Sequence, residues 1–221
     1  MSTFQLSKQL ICYAITDRRY IYHNNHTIER AVEDAIIGGA SIIQIREKHI
    51  EFNDFLKEAI LIKKITSRYK IPLIINDNIE VALSCGADGI HLGQDDLKKY
   101  NSDFLKIRKQ FENKILGISA NTLEEAKIAE KNGADYLGID TPFYTKTKSD
   151  YKNTSFEEMR NITSNIKIPC VAIGGINKHT IPLLKNTGII GVAMISAIFD
   201  NKNITRATKE LLQITKKVIN N

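Results

Sequence analysis

Ile71-Pro72-Leu73-Ile74-Ile75-Asn76-Asp77 and, a short segment later, Gly89-Ile90-His91-Leu92-Gly93-Gln94-Asp95-Asp96 decide the fold. Each is an apolar run of strand length that ends in polar and acidic residues, and Ile79 to Cys85 between them reads as a short helix. Strand, helix, strand is the unit that yields parallel pairing, with both carboxyl ends on one side of the sheet. Asp77 and Asp96 then share a rim, and two hard carboxylates there suit a magnesium ion held partly by a substrate's phosphate oxygens. The same acids also read as helix openers, Asp77 with Glu80 as a capping box and Asp95-Asp96 as first-turn charge. On this stretch alone both readings stay open.

Outward from this unit the chain keeps alternating between two periodicities. Upstream, strands are expected over Leu10 to Thr16 and Ser41 to Arg46, and helices over Thr27 to Ile37, stopped by Gly38-Gly39, and Asn53 to Tyr69. Downstream, a helix over Ser102 to Gln110 precedes a strand over Ile115 to Ser119. Thr122-x-x-Glu125 opens a helix that Asn132-Gly133 closes, and Tyr136 to Asp140 is the next strand. Ser155-x-x-Glu158 caps another helix, followed by strand Pro169 to Ile173, helix Lys178 to Asn186, strand Ile189 to Ile195 and helix Ile204 to Val218. Helix-ending glycines recur at Gly39-Ala40-Ser41, Gly86-Ala87-Asp88, Gly133-Ala134-Asp135 and Gly188-Ile189-Ile190, spaced by 47, 47 and 55 residues. Each interval holds two β/α units. Such an even alternation predicts an α/β fold, a (β/α)₈ TIM barrel forming a single domain over residues 1–221, with function at the carboxyl ends of the strands.

Composition excludes several classes. The net charge of +6 fits an anionic ligand, but the lysines are scattered and form no basic run, so nucleic acid is not an expected partner. Cys12, Cys85 and Cys170 are far apart, odd in number and set in apolar segments, which reads as buried free thiols in a reducing compartment. Met1 to Gln9 lacks the charged-then-apolar pattern of a leader, and the longest apolar stretch, Gly188 to Phe199, is too short to span a bilayer. The expectation is a cytoplasmic enzyme without a membrane partner. His91 reads as a satisfied interior residue, while His23, His26, His49 and His179 share no metal-binding spacing, and no Ser/His/Asp elbow is present.

The strand ends carry the chemistry. Alternation along Ser41 to Lys48 puts Gln44, Arg46 and Lys48 on one face, where a barrel strand would otherwise be apolar. Three long donors at period two span about 13 Å, the size of a small ring carrying a diphosphate. Arg46 supplies a planar fork for phosphate and Lys48 a compact charge. Ser119 ends strand five, as a ligand hydroxyl or a turn residue. Strand six runs into the polar loop Pro142 to Asp150, whose hydroxyls and lysines suit a phosphate if it is more than a solvated connection. Strand seven ends in Gly174-Gly175-Ile176 and strand eight in Met194-Ile195-Ser196, where exposed amides form a phosphate cradle in many barrels.

Gln44-x-Arg46-Glu47-Lys48, Ile75-Asn76-Asp77, His91-x-Gly93-Gln94-x-Asp96, Gly117-x-Ser119, Phe143-x-Thr145-x-Thr147-Lys148 and Ala172-Ile173-Gly174-Gly175-Ile176 together resemble the thiamine-phosphate synthase family, in that family's order. The resemblance implies a magnesium-dependent transferase that condenses a hydroxymethylpyrimidine diphosphate with a thiazole phosphate, releasing pyrophosphate and giving thiamine monophosphate. It assigns Gln44, Ile45, Arg46, Glu47, Lys48, Asn76, Ser119 and Lys148 to the pyrimidine diphosphate. Asp77 and Asp96 fall to Mg2+, and Thr145, Lys146, Thr147, Gly175, Ile195 and Ser196 to the thiazole phosphate. Arg46, Lys48 and Lys148 would neutralise the departing diphosphate. Asp140-Thr141 departs from the pattern, which has glycine and a small residue or proline there, so an acid would stand near the thiazole phosphate. A thiazole tautomerase on the same barrel would carry a histidine shortly after strand five, where this chain has Ala120-Asn121. A non-catalytic phosphate-binding barrel is the other alternative, and the sequence leaves open whether the chain forms a homo-oligomer.

The loop Tyr144 to Asp150 has no apolar residue after Thr145, so its ordering is expected to come from ligand contacts, as in a lid that keeps water from a reactive intermediate. Lys148→Ala is then expected to lower turnover and raise the share of pyrimidine alcohol formed by hydrolysis. Hydrogen exchange at Thr145 to Asp150 that is equally slow with and without ligands would discard the lid.

Overall fold

Eight strands of four or five residues form: β1 Cys12–Ile15, β2 Ile42–Ile45, β3 Leu73–Asn76, β4 Gly89–Leu92, β5 Ile115–Ser119, β6 Tyr136–Asp140, β7 Cys170–Ile173 and β8 Gly191–Met194. Each pairs in parallel with its neighbours in sequence, and β1 pairs with β8, which closes the expected barrel. The computed structural model describes residues 3–48, 50–100, 103–145, 147 and 153–219. His49, Ser102, Lys146, Lys148, Ser149 and Asp150, all used in the sequence reading, lie outside the described residues.

Strand side chains alternate between two cores. Tyr13, Ile42, Ile74, Ile115, Tyr136, Val171 and Ala193 fill the barrel, while Ile43, Ile45, Leu73, Ile75 and Leu137 face the surrounding helices. Interior positions trade large for small. A Cβ on Gly117 would lie 2.1 Å from Tyr136 Cζ, so that glycine is the space the tyrosine ring occupies.

The described helices are α1 Thr3–Gln9, α2 Arg18–His23, α3 Ile28–Ile37, α4 Phe52–Arg68, α5 Ile79–Ser84, α6 Gln94–Lys99, α7 Phe104–Gln110, α8 Leu123–Lys131, α9 Phe156–Asn165, α10 Ser196–Phe199 and α11 Ile204–Ile219. Three of them, α1, α2 and α10, were not expected from the sequence, and α6 only as one of the two readings of Asp95-Asp96. All four are four to seven residues long, too short for a clear 3.6 periodicity. Among them α1 closes the bottom of the molecule, since Leu6 and Leu10 join the inner core and stop the amino-terminal end of the barrel. The helix expected over Lys178 to Asn186 contracts to a 3₁₀ turn, Ile181–Leu184, because Pro182 offers no amide and Lys185 already leaves the helical region at ψ 137°.

Thr122 and Ser155 cap α8 and α9 as expected, accepting from the amides of Glu125 (3.2 Å) and Glu158 (3.1 Å). The reciprocal arms go elsewhere. Glu125 accepts from the Asn121 amide (2.7 Å) and Glu158 from the Leu123 amide (2.9 Å), so the second acid ties α9 to α8.

The glycine repeat has a physical basis. Gly39, Gly86, Gly133 and Gly188 all take positive φ, from 67° to 106°, which ends a helix with little strain. In three of the four, the residue two positions on accepts an amide at the start of the preceding strand. Ser41 Oγ takes Cys12 N–H (3.1 Å), Asp88 takes Leu73 N–H (2.8 Å) and Asp135 takes Leu116 N–H (2.7 Å). Lys63 and Arg108 then neutralise the two acids.

Cys12, Cys85 and Cys170 are free and buried, and burial pushes the Cys12 and Cys170 thiols up to about 12, so they stay protonated. Among the described residues no helix is long and apolar enough to cross a membrane. Gly117→Ala is expected to destabilise the fold by about 2 kcal/mol or more, since the Tyr136 ring has no free space to yield. A urea midpoint equal to wild type would contradict this packing.

Candidate active site

At the carboxyl ends of the strands one mouth gathers Gln44, Arg46 and Lys48 after β2, Asn76 and Asp77 after β3, His91 of β4, Asp96 of α6 and Ser119 of β5, above Tyr13, Tyr136 and Ile15. About 570 Å³ of non-atom space, open solvent included, lies within it. The alternation read along strand two holds, since Gln44, Arg46 and Lys48 all line the mouth. Ile45 and Glu47 do not. Ile45 packs in the outer core, and the Glu47 carboxylate takes the Arg18 Nε–H at 2.8 Å.

The two readings of Asp77 separate here. Asn78, one residue on, caps α5 by accepting the Val81 amide at 2.9 Å, which leaves the Asp77 side chain free for the mouth. Asp77 takes φ 65°, held by its own amide on His91 O (2.9 Å) and by Tyr100 Oη on its carbonyl (3.1 Å). Its Oδ2 accepts from Lys48 Nζ at 2.5 Å and from Asn76 Nδ2. Asp96 serves both readings at once: it lies in the first turn of α6, and its carboxylate meets that of Asp77 while Oδ1 takes Lys99 Nζ at 2.6 Å.

Two facing carboxylates in a buried site push their proton affinities apart. Burial first, then the hydrogen bond to Asp96, raises Asp77 from 3.8 to about 6, against the pull of Lys48. Burial opposes ionisation of Asp96 as well, but the hydrogen bonds from Asp77 and Lys99 and the charge of Lys48 outweigh it, so its value is lowered. The pair is thus an acceptor-rich site in which each acid already holds one ammonium group, Lys48 on Asp77 and Lys99 on Asp96. A divalent ion with hard oxygen preference fits that donor set. Among the described residues there is no group of three or more His, Cys, Asp or Glu able to enclose a metal, so the remaining ligands would be water or substrate.

A hydrogen-bonded chain crosses the floor. Gln44 Nε2 donates to Tyr13 Oη (2.6 Å), Tyr13 meets Tyr136 Oη (2.8 Å), Tyr136 meets His91 Nδ1 (3.0 Å), and His91 Nε2 meets Ser119 Oγ (3.0 Å). His91 is the satisfied interior residue expected. Tyr13 and Tyr136 were missed as site residues, although both sit at inward positions of their strands, where a hydroxyl on a period-two apolar face was the available signal.

Beside the mouth, and sharing Ile173, Ala193 and Ile195 with it, a second hollow collects Thr145, Thr147, Gly175 and Ser196. Gly174 and Gly175 take φ 96° and 62°, and a Cβ on Gly175 would lie 2.7 Å from Tyr144 O, so only glycine lets the loop approach. Tyr20 of α2, also missed, lines a wider part of this hollow and meets Thr147 Oγ1 at 3.2 Å. Lys146 and Lys148 lie outside the described residues.

Residues 12–198 match the family profile described as thiamine monophosphate synthase. The chain belongs to this family. It is 46% identical to the thiamine-phosphate synthase of Ruminiclostridium cellulolyticum over 203 residues, 91% of this chain and 93% of that one. Against the enzyme of Clostridium beijerinckii it is 46% identical over 200 residues, 90% and 92% of the two chains. The solved thiamine phosphate pyrophosphorylase of Pyrococcus furiosus superposes with a TM-score of 0.86 at 36% identity, covering 97% of this chain and 99% of that one.

The departure from the family pattern at Asp140 does not put a charge into this synthase mouth. Asp140 is buried, its carboxylate accepting from Asn121 Nδ2 (3.2 Å) and its amide donating to Asn121 Oδ1 (2.8 Å), and it lines neither hollow. Thr154 Oγ1 donates to the same Asn121 Oδ1 at 3.2 Å.

The raised value of Asp77 has a testable sign. Its folded form holds a proton that the unfolded chain releases near 3.8, so the stabilisation is full below that pH and is lost as pH rises through about 6. Asp77→Asn is expected to raise the thermal midpoint above about pH 6, by a stability on the order of 1 to 3 kcal/mol, with no gain below about pH 4. A variant less stable than wild type at neutral pH would overturn the raised value of Asp77.

Proposed function

We propose that this synthase condenses 4-amino-2-methyl-5-(diphosphooxymethyl)pyrimidine with a thiazole phosphate, in the cytoplasm, as one barrel domain with Mg2+ as cofactor. The observation that carries the reading is the pairing of two adjoining hollows of different chemistry. One combines phosphate donors with an acid pair, and the other is a glycine and hydroxyl cradle.

Asp77 and Asp96 would hold the ion, which supplies neutralisation of the diphosphate when bound. The protein's own part is positioning and charge. Arg46 offers a fork to one phosphate, and Lys48, bonded here to Asp77, keeps further N–H donors for another; Lys148 is assigned to the same anion by resemblance. Gln44, Asn76 and Ser119 would orient the pyrimidine. Thr145, Lys146, Thr147, Gly175, Ile195 and Ser196 would hold the thiazole phosphate beside it. The methylene C–O bond breaks with its electron pair leaving on the diphosphate, and the thiazole nitrogen then forms the C–N bond to the pyrimidine-stabilised cation. No covalent enzyme intermediate is needed, which agrees with the engagement of His91 at both ring nitrogens.

Asp77→Ala and Asp96→Ala are each expected to lower turnover by on the order of 10²-fold or more while the barrel stays folded. Arg46→Met or Lys48→Met is expected to weaken the pyrimidine diphosphate far more than the thiazole phosphate. A coupled pyrophosphate-release assay with both substrates and magnesium tests the activity, and calorimetric titration tests the division of the site. Absence of turnover, or equal losses for both ligands, would refute the respective part.

A further inference from the structure

Glu47 stands between Arg46 and Lys48, yet its side chain turns out of the mouth into the layer between β2 and the helices, where it is 6% exposed. Arg18, in the first turn of α2, donates Nε–H to Glu47 Oε2 at 2.8 Å and Nη2–H to Glu58 Oε2 of α4. One guanidinium therefore joins three elements behind the end of strand two. The remaining oxygen of each acid, Oε1 in both, is buried and has no hydrogen-bond partner among the described residues. The two carboxyl groups are also within hydrogen-bonding reach of each other. Two buried carboxylates against one arginine would leave a net negative charge and two unsatisfied acceptors, and a single proton between them removes both faults.

We propose that Glu47 is a positioning residue, which Arg18 and a proton shared with Glu58 clamp from behind so that Arg46 and Lys48 are presented together to the diphosphate. The inference deepens the proposed function and rests on it for the identity of the ligand. It also explains why a carboxylate sits inside a phosphate-binding segment without repelling the phosphate, because its charge is turned away and neutralised.

The groups that face the clamp are Arg18 and Tyr22 of α2, Asp17 before it, Glu29 of α3 and, across the hollow on which Glu58 opens, His26. Asp17 is itself paired with Arg19 at 2.6 Å. Burial and then the Glu47 charge raise Glu58 to about 7, against the pull of Arg18, and burial raises Glu47 too. The clamp is therefore complete below about pH 7 and opens above it. Diphosphate affinity should fall on the alkaline side, opposite to the trend that ionisation of the substrate and of Asp77 would give.

Glu58→Gln separates these effects, since its amide donates to Glu47 at every pH. Calorimetric titration of the pyrimidine diphosphate with magnesium, from about pH 6 to about pH 8.5, is expected to show wild-type affinity weakening on the order of tenfold and the variant nearly flat. Thiazole phosphate affinity should change little in either. The ligand-free protein gives a second readout: relative to Glu58→Gln, the wild-type thermal midpoint should fall from pH 4.5 to about 7 and run parallel above. Identical alkaline profiles for the two proteins overturn the clamp, as does a constant midpoint difference. A wild type that melts as described but binds no pyrimidine diphosphate refutes the ligand assignment and leaves the shared proton standing. If Glu58→Gln does not fold, Arg18→Lys, which keeps the charge and loses the fork, is expected to raise KM for the diphosphate several-fold with kcat nearly unchanged; unaltered KM overturns the proposal.

Discussion

Closure is the constraint on which the rest depends. A parallel strand presents donors and acceptors on both edges, and eight such strands satisfy all of them only when β1 meets β8. Once the ring is closed the interior must be filled by side chains, and the inward positions show how tightly: Tyr136 over Gly117, Leu10 and α1 at the amino-terminal end. Filling from below leaves room only at the top. Polar residues at inward positions are thereby confined to the carboxyl rim, and they all meet there because the strands lean into one mouth.

That geometry explains what could be read from the chain and what could not. The strands and the glycine repeat were legible because burial on both faces writes long apolar runs, and because a helix end that must reverse direction asks for positive φ at Gly39, Gly86, Gly133 and Gly188. Period two along Gln44, Arg46 and Lys48 exposed the polar ladder of the mouth for the same reason: polar residues break the apolar rule where they face the mouth. The short helices α1, α2 and α10 were hidden, since one or two turns carry no stripe to recognise. Asp77 and Asn78 show a finer limit. Both residue types cap helices well, and only the structure distinguishes which of two neighbours accepts the Val81 amide and which turns into the site.

Glu47 and Asp140 mark the other limit. Each acid stands inside a stretch that contacts an anion in the family pattern, and composition alone reads each as a conflict. In both cases the chain removes the charge from the mouth by giving it buried partners, Arg18 and Glu58 for one and Asn121 for the other. Such partners are remote in sequence, 29 residues away for Arg18 and 19 for Asn121, so no local pattern announces them.

The rim then works as a set of ion pairs that a ligand can exchange. Lys48 pairs with Asp77 and Lys99 with Asp96, so two acids and two ammonium groups balance in charge without a bound ion. On the proposed reading, a dication and a polyanionic substrate arriving together would release the Lys48 ammonium toward phosphate with little change in net charge. Binding either partner alone lacks that compensation: the ion alone must enter with two ammonium groups close by, and the diphosphate alone must approach two acids. On the proposed reading, the arrangement of Asp77, Asp96 and Lys48 favours the two arriving as one complex.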